Sequence, residues 1–167
     1  MKTIHAKFAE SCSKREHQQC VIRIMRAAEK LCKQEQLQLT PIRRRVLELI
    51  LQRHAPIGAY DILGALKKGE GALAPPTVYR ALEFLLGAGL IHRIDTLNAF
   101  VACESPDHAH AGQFFICSQC QRVTELSDSA ILQLAGKKAR SVGFSTNMSG
   151  IEIKGTCASC QNNSRQM

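Results

Sequence analysis

The chain has 167 residues, of which 45% are hydrophobic and 22% charged, a composition typical of a globular protein with one or two domains and unlike that of a disordered or collagen-like chain. No apolar run approaches the roughly 20 residues of a membrane-spanning helix, and residues 1–20 lack the apolar core of a secretory signal. We therefore expect no membrane partner and a cytoplasmic location, where thiols stay reduced and eight cysteines favour metal or redox chemistry over disulfides.

Positive charge is concentrated in the first part of the chain. Residues 1–100 contain 16 Lys and Arg against 9 Asp and Glu, whereas residues 101–167 contain 6 against 5. A basic surface is typical of proteins that bind DNA or RNA, although charge alone is equally compatible with a solvated surface that has no partner. Five of the eight cysteines lie after residue 100, so the sequence indicates two modules.

The first module contains four segments with the apolar spacing of amphipathic helices, and the second of them is predicted to bury Val46, Leu47, Ile50 and Leu51. The four segments begin at about Gln19, after the Thr40-Pro41 start signal, at residue 59 and at residue 77, and the last two end near Gly69 and Gly87. Two short β-prone runs follow, at 90–95 and 98–104, with a turn between them. Helices followed by a hairpin in a basic module favour a winged helix-turn-helix that binds DNA over a generic helical bundle.

The second module is predicted as two strands around a Cys-x-x-Cys turn, a helix over 129–142 and a returning strand. We therefore expect an α+β protein: a flexible arm at 1–18, a winged-helix domain at 19–103, a hinge at 104–111, a small α/β domain at 112–160 and a disordered tail at 161–167. A module this small leaves apolar surface that a second copy would cover, so we expect a homodimer.

Two Cys-x-x-Cys pairs are the most specific chemical signal, and they predict a structural zinc site. Four thiolates close around one Zn2+ as a tetrahedron and leave no open coordination position, so such a site ties the start of the module to its end. Four free thiols or two redox dithiols are the alternatives. The pairs are Cys117 with Cys120 and Cys157 with Cys160.

A second set of metal-ligand types surrounds the predicted hinge. Each member also has an ordinary interpretation, since His92 could contact a phosphate, Cys103 could be a small buried side chain and Glu125 could lie on a strand surface. Convergence of three or four of them would make a mixed sulfur, nitrogen and oxygen site. The set comprises His92, Cys103, His108, His110 and Glu125.

Taken together, LTPIRR, AYDIL, PPTVYRALEFLLGAGLIHRI, FICSQC and GTCASC resemble the ferric uptake regulator family of bacterial metalloregulators over about residues 20–160, and most closely its zinc-uptake branch. The resemblance implies a homodimer that represses zinc uptake and homeostasis genes by binding palindromic operators in double-stranded DNA when it is loaded with zinc. It implies two Zn2+ per chain: a structural ion held by the four cysteines above, and a regulatory ion held by His92, Cys103, His110 and Glu125.

The resemblance also implies DNA contacts for Tyr60, Tyr79 and Arg80. We add Thr77, and Arg43 as a phosphate contact. One thiolate, two imidazoles and one carboxylate suit Zn2+, whereas Fe2+ or Mn2+ would more naturally take five or six nitrogen and oxygen ligands.

Several alternatives remain open on the sequence. The chain could be an iron- or peroxide-sensing regulator of the same family, although its linker carries only DHAH and a zinc-bound Cys103 argues against a peroxide sensor. It could also be a structural zinc protein that binds RNA. His108 competes with His110 as the linker ligand, and Cys12, Cys20 and Cys32 receive no role. An enzyme is not expected, because the strong metal site is closed and no phosphate loop or nucleophile–base set is present.

Overall fold

The computed structural model describes residues 14–53, 55–70, 74–106, 111–146 and 150–164. The chain divides into two compact units, a first unit over residues 11–109 and a second unit that contains the residues from 110 onward. The predicted α+β class is confirmed, with helices first and a mixed sheet later.

Four helices and a hairpin form the first unit. The helices are α1 (Lys14–Gln34), α2 (Pro41–Leu51), α3 (Ala59–Glu70) and α4 (Pro75–Gly87), and the strands are β1 (Ile91–Ile94) and β2 (Ala99–Ala102). Residues 14–18 were expected to belong to a flexible arm, but they are helical. They include Lys, Arg, Glu and Gln, which favour helix formation, and Glu16 in the first turn suits the positive end of the helix dipole.

Helix α2 lies at the centre of this unit and contacts α1, α3, α4 and β2. Its four predicted core residues, Val46, Leu47, Ile50 and Leu51, are all buried. Pro41 stands in its first turn, where the missing amide hydrogen costs nothing. The other large side chains that are almost wholly buried in this unit are Ile24, Ile57, Ile62, Leu66, Leu82, Leu85, Leu90, Ile91 and Ile94.

The hairpin is antiparallel, with Ile91 opposite Ala102 and Ile94 opposite Ala99. A short 3-10 turn at Asp95–Leu97 reverses the chain, and Asn98 closes it in the left-handed conformation that asparagine tolerates well. The outer edge of β2 pairs with Ile57, whose amide donates to the Phe100 carbonyl at 3.0 Å and whose carbonyl accepts from the Phe100 amide at 2.9 Å. No pattern in the sequence predicts this bridge.

The second unit contains a three-stranded sheet in the order β4-β3-β5. Strand β3 (Gly112–Cys117) pairs antiparallel with β4 (Val123–Leu126) and parallel with β5 (Gly150–Gly155). Helix α5 (Ser129–Ser141) makes the crossover and begins at the Asp128 carboxylate, which accepts from the Ala130 amide at 2.8 Å. Gly150 has a close-packing role, since a Cβ there would lie 2.9 Å from the Gly112 carbonyl oxygen.

A short helix, α6 (Ala158–Ser164), follows β5. Residues 161–164, which were expected to belong to a disordered tail, are therefore helical. The Gln161 amide donates to the Cys157 carbonyl at 2.9 Å, so the turn that carries the second cysteine pair also starts this helix.

Several large apolar side chains of the second unit are exposed. Phe144 is 66% exposed and Leu134 60%, and both lie outside the small core around Phe114 and Ile116. Within the parts of the chain that the structure describes, no helix is both long and apolar enough to cross a membrane. The exposed set comprises Phe115, Leu134, Val142, Phe144 and Ile153.

Candidate metal centres and nucleic-acid interface

The two Cys-x-x-Cys pairs meet at one end of the second unit. Cys117 ends β3, and Cys120 follows in a turn that Gln121 completes with a positive φ of 57°. Because β5 runs parallel to β3, both strands end at the same end of the sheet, and Cys157 and Cys160 follow β5 there. The Ser118 amide donates to the Gly155 carbonyl at 2.8 Å and fastens the first turn to the end of β5.

The spacing of the four sulfurs fits a tetrahedral zinc ion. All four Sγ atoms lie within 4.8 Å of one another, and Sγ of Cys120 is 3.7 Å from Sγ of Cys157. A tetrahedron with Zn–S bonds of ~2.3 Å has sulfurs about 3.8 Å apart, whereas a disulfide requires about 2.05 Å. The arrangement therefore suits one ion with no open position.

The protein environment favours a thiolate at Cys117. Backbone amides of Cys120 and then Cys157 point at its sulfur and lower the pKa of Cys117 to about 6; the Cys157 amide nitrogen lies 3.4 Å away. Hydrogen bonding to Cys157 and desolvation raise the pKa of Cys160 to about 12. The fold thus favours the thiolate at Cys117 and disfavours it at Cys160. A divalent cation at the centre would stabilise all four thiolates together.

The hairpin of the first unit brings His92 and Cys103 together. His92 lies opposite Val101, and the Cys103 amide donates to the Leu90 carbonyl at 3.1 Å, so the pairing continues one residue beyond β2. His92 and Cys103 are therefore diagonal neighbours on one face of the hairpin. A ring nitrogen of His92 and the fully buried Cys103 sulfur lie within 4.8 Å of each other, close enough to bind one ion.

Glu125, another predicted regulatory ligand, belongs to the second unit. Glu125 lies on β4 opposite Phe114 and is only 8% exposed, which is unusual for a carboxylate and calls for a compensating charge or hydrogen bonds. His108 and His110 lie outside the described residues.

Four of the five predicted DNA-contacting side chains lie on α3 and α4. On α4, Tyr79 is 44% exposed, Arg80 is exposed and Thr77 is half-buried, while Val78 and Leu82 pack into the core. Helix α4 thus anchors one face in the unit and turns Tyr79 and Arg80 to solvent. Tyr60, near the start of α3, is 80% exposed, which is rare for an aromatic side chain without a partner.

Arg43 differs from the other candidates because it is engaged within the chain. Its Nη1 donates to the Gln38 carbonyl at 2.6 Å, and its Cζ lies 3.6 Å from the centroid of the Phe84 ring. Its neighbour Arg44 pairs with Glu29 and with Glu48. No local signal marked Phe84 as the partner of Arg43, because the contact forms only when α2 packs on α4.

Comparison with known proteins agrees with the winged helix, the mixed sheet and the four-cysteine centre described above. The model of the ferric uptake regulator family matches residues 34–154. The zinc uptake regulation protein of Escherichia coli strain K12 is 38% identical over 138 residues, which cover 82% of this chain and 81% of that protein. The fold and the site thus define a class of metalloregulators.

Solved structures agree with this class. A zinc uptake regulator complexed with zinc and DNA superposes with a TM-score of 0.81 at 36% identity, covering 87% of this chain and 97% of that one. The crystal structure of holo XcZur gives a TM-score of 0.76 at 38% identity, covering 84% and 98%. This chain belongs to the ferric uptake regulator family, whose members are transcription regulators and not enzymes.

Proposed function

We propose that this protein is a zinc-responsive, DNA-binding transcriptional repressor of zinc uptake and homeostasis genes. One observation carries the choice of zinc: His92 and Cys103 share a face of the hairpin, and a soft thiolate beside an imidazole suits Zn2+ better than Fe2+ or Mn2+. The similarity to zinc uptake regulators over most of the chain supports it.

Two zinc ions per chain serve different purposes in this proposal. The first is bound by Cys117, Cys120, Cys157 and Cys160. Because four sulfurs leave no coordination position for a substrate, this ion has a structural role and stabilises the second unit. The second is the signal. Its proposed ligands are His92, Cys103, His110 and Glu125.

Zinc at the second site acts by selecting one arrangement of the DNA-binding units. Without the ion, the DNA-binding units of the two copies sample many separations. With it, the protein favours the arrangement in which the two copies address adjacent major grooves of a palindromic operator. The gain in the free energy of DNA binding can be no larger than the preference of zinc for that arrangement, typically about 1–3 kcal/mol per coupled site.

Helix α4 is the DNA-reading element in this proposal. Its solvent-facing Arg80 has the forked geometry that binds the O6 and N7 acceptors of guanine, and Tyr79 offers a flat apolar surface for a thymine methyl group or a base. Thr77 and Tyr60 contribute further contacts near the helix starts. The basic charge of residues 1–100 attracts the phosphate backbone.

The protein works as a homodimer in the cytoplasm, where the chromosome of a bacterium lies. The exposed apolar side chains of the second unit, with Leu134, Phe144 and Ile153 among them, supply the surface that a second copy would cover.

The decisive experiment is a titration of DNA binding against buffered free zinc, with bound zinc counted at each point. The DNA is a palindrome selected from a random pool by the zinc-loaded protein. We expect tight binding only as the count rises from one to two per chain. Cys103→Ser should retain one zinc and lose the switch, whereas Cys20→Ser, a change at a half-buried cysteine on α1, should behave like the unmodified protein.

The competing functions predict different outcomes. Full DNA binding with one zinc per chain, indifferent to more, would mean that the regulatory site is wrong. Fe2+, Mn2+ and peroxide would then be tested as signals in the same assay, for an iron- or peroxide-sensing regulator. Preference for RNA over duplex DNA at every zinc level would indicate the structural zinc protein instead.

A further inference from the structure

Arg43 lies where three parts of the first unit meet. It is the third residue of α2, its Nη1 donates to the Gln38 carbonyl in the connection from α1 at 2.6 Å, and its guanidinium carbon stands 3.6 Å from the centre of the Phe84 ring on α4. A hydrogen bond and a stacked ring fix the plane of the guanidinium in two directions.

The aromatic partner of Arg43 stands beside the proposed base contacts. Phe84 follows Arg80 by four residues, so the two side chains lie one turn apart along the same flank of α4. Val78, Ala81, Leu82 and Leu85 hold the opposite face in the core. The stack of Arg43 on Phe84 lies outside that apolar face, so it adds a second contact that opposes rotation of the helix.

Small rotations of α4 matter at the DNA surface. A roll of about 10° moves an atom about 6 Å from the helix axis by roughly 1 Å. A displacement of that size is enough to lose a bidentate contact to a base edge, because such contacts tolerate only about 0.5 Å.

We propose that Arg43 is a positioning residue that sets the rotation of α4 for sequence reading, and not a phosphate contact. This role differs from the phosphate contact that the sequence suggested for Arg43, and it rests on the DNA-binding function proposed above. Arg43, which positions α4, is thus a different residue from Arg80, which contacts the bases.

The two roles differ in their dependence on salt and sequence. A phosphate contact releases a counterion, so its loss weakens binding to operator and random DNA alike and reduces the slope of log K against log[salt] by about 0.9 per contact. Loss of a positioning contact weakens operator binding and leaves both the random-DNA affinity and the slope unchanged.

The test uses the full-length zinc-loaded protein with Arg43→Met, Arg43→Lys and Phe84→Leu, and with Arg53→Gln as a control that also removes one positive charge from the first unit. We expect Arg43→Met and Phe84→Leu each to lower operator affinity by roughly threefold to tenfold. The ratio of operator to random-DNA affinity should fall by the same factor. Arg43→Lys should resemble Arg43→Met, since lysine keeps the charge and loses the planar stack.

A double-mutant cycle between Arg43→Met and Phe84→Leu provides the second measurement. If the residues act through one contact, the double variant loses little more than either single variant. Additive losses, full rescue by Arg43→Lys, or equal losses on operator and random DNA with a reduced salt slope would each overturn the proposal.

Nuclear magnetic resonance separates this proposal from the proposed function. The Arg43 Nε–H signal should be shifted by the ring current of Phe84 and should move toward the ordinary arginine position in Phe84→Leu. An unshifted signal overturns the contact even where DNA binding is intact. If the unmodified zinc-loaded protein prefers no DNA sequence while the shift is present, the proposed function has failed and the Arg43–Phe84 contact stands.

Discussion

At the scale of single residues, the chemistry of Cys117 shows how backbone geometry prepares a metal ligand. Its sulfur accepts from amides at Cys120 and Cys157, which belong to opposite sides of the cluster, so the folded chain stabilises a negative charge there before any cation arrives. The cysteine spacing revealed the ligands. The convergence of amides from two distant segments required the parallel pairing of β3 and β5.

The lowered pKa of Cys117 predicts a pH dependence for the metal-free protein. Because its pKa is about 6 in the folded chain against 9.0 ordinarily, the associated stabilisation is complete above pH 9.0, declines as the pH falls, and is lost below about 6. Ultraviolet thiolate absorbance should therefore show a titration step near pH 6. Cys117→Ser should abolish that step and Cys160→Ser should keep it; a first step at the ordinary thiol value would contradict the prediction.

Arg80 is the side chain that we propose to contact guanine in the operator. Replacing it with Ala should relax the preference for guanine at one operator position, with a cost of about 1–3 kcal/mol for a lost bidentate contact. Competition binding against operators changed at single positions would measure this. Equal weakening on operator and random DNA would show that Arg80 contacts phosphate.

At the scale of secondary-structure elements, periodicity predicted the helices well and the irregular connections poorly. All four predicted core positions of α2 are buried, since regular spacing defines which face packs. Ile57, between the Pro56 break and Gly58, was missed because one residue that adds to a strand edge has no period. The early start of α1 and the existence of α6 were missed because polar segments carry no apolar stripe.

The burial of the Ile57 side chain predicts different effects for two matched substitutions. Ile57 is 1% exposed, so Ile57→Ala should lower the free energy of unfolding by about 2–5 kcal/mol through lost burial and the cavity left behind. Ile22→Ala, at a side chain that is 51% exposed on α1, should change it by less than about 0.5 kcal/mol. Chemical denaturation followed by circular dichroism measures both, and similar losses would contradict the burial of Ile57 in the core.

At the scale of the whole molecule, the second unit exposes more large apolar surface than a small unit tolerates alone. Leu134, Val142 and Phe144 are each at least 60% exposed. The small size of this module predicted from the sequence that apolar surface would stay exposed. Which side chains are exposed depends on where the fold places α5 and the residues that follow it.

A charge placed on that surface should separate the copies. Leu134→Glu on α5 should shift the protein from dimer toward monomer in sedimentation velocity, and operator binding should weaken because one copy addresses only one half-site. Gln133→Glu, at an exposed residue of the same helix that points about 100° away from Leu134, adds the same charge and should leave the dimer intact. An unchanged dimer with Leu134→Glu would place the interface elsewhere.

The fold class, the two modules, the four-cysteine centre and the family could all be predicted from the sequence, because they depend on composition, on helical and strand periods and on ligand spacing within a few residues. Three contacts are visible only in the folded chain: His92 and Cys103 share a hairpin face, Ile57 pairs with β2, and Arg43 stacks on Phe84. Those contacts join residues distant in sequence, and their geometry follows from the register and packing of whole elements, which no local pattern encodes.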